Sequence, residues 1–158
     1  MTTRQLLVAA AVLLLLVALV VRLERRGGAA PGAVLADAAC TPGVLNPGVT
    51  QESIRSTICR HGWTRTIRPP VDYTDALKLR QMRAYHEPGP ASAYQEDHLI
   101  SLELGGHPTD PRNLWPEPYP RASEVDRMEN DLNQQVCSGS LSLREAQEKE
   151  SVLKHTDG

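Results

Sequence analysis

The chain contains no phenylalanine, and its aromatic residues are two tryptophans and four tyrosines in 158 positions. A core without that bulk is filled by aliphatic side chains, and a small domain built this way gains from a disulfide or a bound metal. None of the three cysteines, Cys40, Cys59 and Cys137, belongs to a Cys-x-x-Cys pair, which argues against a structural zinc knuckle. No internal repeat is present, so a solenoid is disfavoured. Nor does one charge dominate: the formal net charge is −2, which does not advertise non-specific nucleic-acid binding.

Split along the chain, charge says more. Residues 53–86 carry seven basic and two acidic side chains, whereas residues 87–158 carry six basic and fourteen acidic ones. The basic half offers a phosphate-facing surface beside an acidic half suited to a cation, although each arginine taken singly reads as solvated charge. Arg65 and Arg68, with His107 further on, are the candidate substrate contacts.

The N-terminal part stands apart. Leu6 to Val21 is an unbroken apolar run, with Arg4 before it and Arg22, Arg25 and Arg26 after it. As a helix it rises only ~24 Å against a hydrocarbon core of ~30 Å, between a signal-peptide core and a membrane span. Ala36-Asp37-Ala38 is a small-residue cleavage pattern, but it lies far downstream of the run. Residues 1–26 therefore read as a signal sequence or membrane anchor, 27–39 as a Gly/Ala/Pro linker, and 40–158 as the folded domain. The expected location is membrane-anchored or secreted, on the extracytoplasmic face. The excess of arginine after the run leaves orientation open. In such a setting one disulfide and one free thiol are expected, with a slight preference for Cys40 and Cys59, which bracket one short segment.

Within the domain, Thr50 is placed to cap a short helix through Ile58. "GWTRTIRPPV" alternates Trp63, Arg65 and Ile67 and predicts a strand or extended arm ending at the proline pair. "YTDALKLRQMRAYH" has helical spacing with Thr74 as cap. Tyr94 to Leu104 predicts a strand, Gly105-Gly106 a turn, and "PRNLWP" a second strand. A helix follows from Ser123, with Val125, Met128, Leu132 and Val136 as its apolar stripe and Gly139 as its stop. Ser142 and Glu145 form a capping box for a last helix over 143–153.

The segment "EDHLISLELGGHPTDPRNLWP", residues 96–116, concentrates groups that phosphodiester hydrolysis needs: a base, an oxygen donor for a cation, and a residue that orients them. Adjacent strand residues face opposite ways, so one workable division turns His98 to the scissile phosphate and lets Asp97 reach a metal from the strand margin. Asn113, fifteen positions after His98, can fasten the loop because its amide both donates and accepts. Asp126 and Asn130 lie four apart on one helix face and supply further oxygen donors, a set that suits Mg2+ or Mn2+. Glu96 should face away from Asp97. His61, His86 and His155 read as surface residues, and Trp63 and Trp115 as core.

"DHLISLELGG…NLWP" resembles the motif of HNH, or His-Me finger (ββα-metal), endonucleases, in which Asp-His opens the first strand. Ser101 stands where the family motif has proline. The resemblance covers residues 94–137. It implies His98 as general base, Asp97 as metal ligand and Asn113 as the loop-fastening asparagine. The family's last ligand falls eight or nine residues after that asparagine, a window that holds Arg121 and Ala122 here; the insertion "PEPYPRA" shifts the helix and makes Asn130 the counterpart, with Asp126 and Asn133 behind it. The wider chain resembles small exported bacterial proteins bearing this core. The implied fold is α+β, a ββα-metal hairpin-plus-helix core with additional helices, preceded by an N-terminal hydrophobic helix. The implied function is metal-dependent endonucleolytic cleavage of DNA or RNA, with nucleic acid as substrate, the membrane contacted through the N-terminal segment, and no protein partner inferable. The alternative, from a different class, is a catalytically inactive extracytoplasmic binding or scaffold module on the same hairpin.

Overall fold

The hairpin that carries the Asp-His pair is short on both sides. In the computed structural model, which describes residues 35–119 and 121–156, β1 (Tyr94–His98) pairs antiparallel with β2 (Leu114–Pro118). Asp97 lies opposite Trp115, and His98 opposite Leu114. Paired residues share a face, so Gln95, Asp97, Trp115 and Glu117 line one side and Glu96, His98, Leu114 and Pro116 the other. The expected strand to Leu104 stops at His98 because the following backbone groups find other partners. The Asn113 side chain takes Ile100, the Glu150 carboxylate takes the Ser101 amide, and Leu102–Leu104 forms a 3-10 turn.

Four α-helices complete an α+β domain among the described residues. The first, α1 (Trp63–Ile67), replaces the expected strand. Alternation over five residues does not separate the two states, and here the backbone satisfies itself locally, the Arg68 amide donating to the Thr64 carbonyl. The proline pair that was expected to end a strand instead starts α2 (Val71–Ala84), with Pro70 as N-cap and Asp72 in the first turn. Thr74, the expected cap, sits inside the helix and returns its hydroxyl to the Val71 carbonyl. Near Thr50 only turns and a 3-10 segment, Ile54–Ser56, are found in place of a regular helix. α3 (Arg121–Ser138) begins two residues before Ser123 and stops at Gly139, whose φ of 84° suits a left-handed helix terminus. α4 (Leu143–Thr156) opens on the Ser142–Glu145 capping box, both arms of which are formed.

α2 covers the Glu96 side of the hairpin and is stapled to it by Gln81, whose amide donates to the carbonyls of Pro111 (3.0 Å) and Leu114 (2.8 Å). α3 and α4 cover the Asp97 side. The main core is aliphatic, as a sequence without phenylalanine requires: Val49, Ile54, Ile58, Ile100, Leu104, Leu132, Val136, Leu143 and Ala146, with Trp63 packed at its margin. Trp115 is buried with Leu99 and Ala36 in a smaller cluster.

A disulfide joins Cys59 to Cys137, with Cα atoms 5.5 Å apart, which corrects the preferred pairing of Cys40 with Cys59. The end of α3 packs on the segment that carries Cys59, bringing together cysteines 78 residues apart, and Cys40 is the free thiol among the described residues. The expected N-terminal hydrophobic helix and most of the linker lie outside the described residues. Among the described residues no helix is long and apolar enough to cross a membrane.

Because the bridge closes a long loop in the unfolded chain, replacing both Cys59 and Cys137 by serine should cost about 2–5 kcal/mol. Guanidinium unfolding of the variant beside the oxidised protein measures this, and an unchanged midpoint would show that the bridge contributes nothing.

Candidate functional site

His98 closes β1 and is 6% exposed. Its Nε2 lies 3.0 Å from the Pro108 carbonyl oxygen. A carbonyl only accepts, so Nε2 carries the proton and Nδ1 of the neutral ring is the acceptor. Nδ1 has no hydrogen-bond partner among the described residues. Burial lowers the pKa of His98 below its ordinary value, and the charges of Lys154 and Arg68 push the same way, against the Pro108 carbonyl and the Asp97 carboxylate. The ring is therefore a neutral base held in one tautomer.

The carbonyl that orients it belongs to a loop fastened by Asn113, which is fully buried. Asn113 Oδ1 accepts from the Ile100 amide at 2.9 Å, and Nδ2 donates to the carbonyls of Ile100 and His107, both at 3.0 Å. Gly106 makes room for this: a Cβ there would come within 1.7 Å of the Ile100 oxygen and 2.7 Å of Asn113 Nδ2. His107, expected as a substrate contact, turns its Nδ1 inward to accept from the amides of Asp110 (3.0 Å) and Thr109 (3.3 Å). It shapes the loop that ends at Asn113.

Asp97 leaves β1 on the opposite face and meets a cation supplied by the chain itself. Lys154, in the last turn of α4 and fully buried, places Nζ 2.8 Å from Asp97 Oδ2 and 2.6 Å from Glu129 Oε1, and donates also to the His98 carbonyl. Glu150 Oε1 stands 3.6 Å away, while both its oxygens accept from the Ser101 amide at 3.0 Å. Burial alone would raise the Asp97 carboxyl, but the Lys154 ammonium and the adjoining Glu117 outweigh it and hold Asp97 at about 2. Burial lifts Glu117 to about 9, with the Asp97 charge adding to the effect, and burial likewise raises Glu129 and Glu150. For Lys154, burial opposes the charge but the surrounding carboxyls more than offset it, so the ammonium persists well above its ordinary range.

On α3 the inward position belongs to Glu129. Asn130, expected as the helix ligand, is exposed and its amide donates to the Asp126 carbonyl one turn back, at 2.6 Å. Asn133 reaches instead to the carbonyls of Glu103 (2.7 Å) and Ile58 (3.4 Å). The Asp126 carboxyl is raised by partial burial and by the charge of Asp97, so it lies within the field of that group. Arg65 is exposed on α1, and Arg68, exposed at the end of α1, is close enough for its charge to act on His98, Glu103 and Asp126. Arg68 thus lies within charge reach of His98 and Asp126, while Asn130 bonds its own helix backbone and His107 bonds its own loop. A cleft of about 430 Å³ opens against the Cys59–Cys137 disulfide, lined by Arg60, His61, Thr64, Glu103 and Asn133 among others; His98, Arg68 and Asp126 do not line it.

The residues do not fit the expected Mg2+ or Mn2+. Asp97, its first ligand, is already neutralised by a buried ammonium, and Asn130 is turned to the backbone. Among the described residues, no three His, Cys, Asp or Glu side chains are grouped so as to hold an ion. A divalent cation on Asp97 would face Lys154 across a few ångströms of low-dielectric interior. Glu96 faces away from Asp97, as expected. Its carboxyl oxygens are buried without a hydrogen-bond partner and burial lifts it to about 8.

Sequence reasoning missed Lys154, Glu117, Glu129 and Glu150. Glu150 and Lys154 have the i, i+4 spacing of an ordinary surface pair, and nothing local marks them as buried. Comparisons of the chain with protein-family models, with curated proteins and with solved structures find no match.

Replacing Asn113 by alanine leaves three buried backbone groups unpaired, so a loss of about 3 kcal/mol or more is expected in urea unfolding. Gly106→Ala, which forces a carbon into the same backbone, should cost about 1–3 kcal/mol or more. If both variants unfold like the parent, the loop is not held by this amide.

Proposed function

We propose that the domain hydrolyses phosphodiester bonds of nucleic acid from a ββα, His-Me finger-like hairpin, with His98 as the general base. The observation that carries this reading is the state of His98: a buried neutral imidazole, anchored through Nε2 on the Pro108 carbonyl, with Nδ1 unpaired. In the proposed step Nδ1 takes a proton from water as the water oxygen attacks phosphorus; the P–O bond to the leaving oxygen breaks in line, and that oxygen takes its proton from solvent. The anchored Nε2–H keeps the ring in place, and the Asp97 charge favours the imidazolium that forms. Arg68, whose charge already acts on His98, pairs with a phosphate oxygen. No step is assigned to a divalent ion at Asp97. The basic balance of residues 53–86, with Arg65 and Arg68 exposed, supports a polyanionic ligand. The apolar run Leu6 to Val21 would tether the domain or direct its export, and the Cys59–Cys137 disulfide supports an extracytoplasmic placement.

A second reading, a non-catalytic binding module on the same hairpin, is favoured by one observation: Asp97 is saturated by Lys154. The two readings separate on turnover.

His98→Ala should lower cleavage of plasmid or single-stranded substrate by about 10²–10⁴-fold. Since it empties a buried site and leaves the Pro108 carbonyl unpaired, it should also cost about 1–3 kcal/mol, so rates are compared where circular dichroism shows both proteins folded. The acid limb of the pH–rate profile should lie below the ordinary ~6.5 of histidine, since a lowered pKa keeps the base neutral further into acid. Cleavage by His98→Ala at the parental rate ends the catalytic reading, and nucleic-acid binding without turnover in the parent favours the second. Arg68→Ala should weaken binding evenly across sequences and reduce the slope of log affinity against log salt by about 1. An unchanged slope removes Arg68 from the phosphate contacts.

A further inference from the structure

Lys154 is unusual in where it comes from and in what surrounds it. It belongs to the last turn of the last helix, yet its Nζ lies against the strand end that carries His98. Its acceptors are Asp97 Oδ2 at 2.8 Å, Glu129 Oε1 at 2.6 Å and the main-chain oxygen of His98, with Glu150 Oε1 at 3.6 Å. An ammonium has three N–H donors, and the three near acceptors satisfy them. All of these acceptors are oxygens, two from carboxyl groups and one from the backbone, which is the donor chemistry that a hard divalent ion uses. The oxygens come from β1 and α3 and the cation from α4, so a single charge holds three elements in register.

We infer that Lys154 is the resident cation of the Asp97 site: a positioning residue that fixes the end of β1 for His98 and closes the site to divalent ions. With Nζ in place, the Asp97 charge is already neutralised and the ammonium occupies the point its oxygens face. Removing the ammonium leaves Asp97, Glu129, Glu150 and the His98 carbonyl, which as they stand form no ion site, around one vacated position whose oxygens have the chemistry to take Mn2+. The inference rests on the catalytic reading only where it makes His98 the group being positioned; the exclusion of metal stands independently of it.

The full chain, purified in mild detergent, is titrated with Mn2+ and free ion is read by electron paramagnetic resonance. The parent and Asp97→Asn should give the same curve, with no bound ion assignable to Asp97. Lys154→Met, which keeps the unbranched stem, ends one atom short of the Nζ position and removes the charge, should bind one additional Mn2+, and Lys154→Met combined with Asp97→Asn should lose it. The inference is overturned if the parent binds an ion that Asp97→Asn abolishes, or if a folded Lys154→Met variant gains none. Should Lys154→Met fail to fold, the comparison of the parent with Asp97→Asn still decides whether Asp97 holds a metal. Cleavage is measured separately. Activity that survives EDTA supports the resident cation, and activity that is lost in EDTA and restored by Mn2+ in the parent but not in Asp97→Asn overturns it. A parent with no activity at all overturns the catalytic reading while the Mn2+ curves continue to decide this one.

Discussion

One buried ammonium organises this domain. Lys154 is fully buried and bonds Asp97, Glu129 and the carbonyl of His98, so the last helix, the long helix and the first strand meet at a single charge. Taking a lysine out of water is costly, and the cost is tolerable only when every donor finds a strong acceptor. Replacing such a cluster with apolar side chains is often neutral or stabilising, so the ion pairs are not by themselves a measure of this domain's stability. A helix packed on a short hairpin by aliphatic contacts alone can slide, whereas one anchored by three directed bonds has one position. The raised protonation of Glu117 and Glu129 follows from the same constraint: the interior accommodates one carboxylate beside the ammonium and disfavours a second.

The opposite face of the same strand obeys a different rule. There the backbone does the positioning. Asn113 replaces the strand pairing that β1 gives up after His98, Gly106 admits the close approach, and the loop so formed turns the Pro108 carbonyl onto the imidazole. Strand alternation keeps the two arrangements apart: residue 97 faces the helices and the charge cluster, and residue 98 faces the loop and Arg68. They are linked through the His98 main chain, whose oxygen Lys154 holds, and through the opposed charges of Lys154 and Asp97 on the imidazole. The base is thereby fixed twice, through its ring and through its backbone.

Much of the loop was legible in the sequence, because its determinants lie close together along the chain. Gly105-Gly106 marks a turn, and an amide at 113 suits a backbone clasp across a hairpin. Ser142 with Glu145 marks a helix start, and Gly139 a helix end. The aliphatic character of the core followed from the missing phenylalanine. The strand drawn too long, to Leu104, and the strand drawn where α1 lies are errors of another kind. In both, a short apolar pattern was read without knowing which backbone partner existed for it.

The sequence by itself determined a few features that rest on interactions within a few residues: the stop at Gly139, the Ser142–Glu145 capping box, and a histidine and an asparagine bracketing one loop. The regular helix expected after Thr50, the cap expected at Thr74 and a hairpin closed at Gly105-Gly106 are not formed. Only the tertiary structure decided which cysteine Cys59 meets, that α3 turns Glu129 inward and Asn130 outward, and that Lys154 stands beside Asp97 although 57 residues separate them. The physical reason is that burial and charge pairing depend on which distant segments pack together. A lysine four residues after a glutamate reads as surface until a strand carrying an aspartate is laid against it.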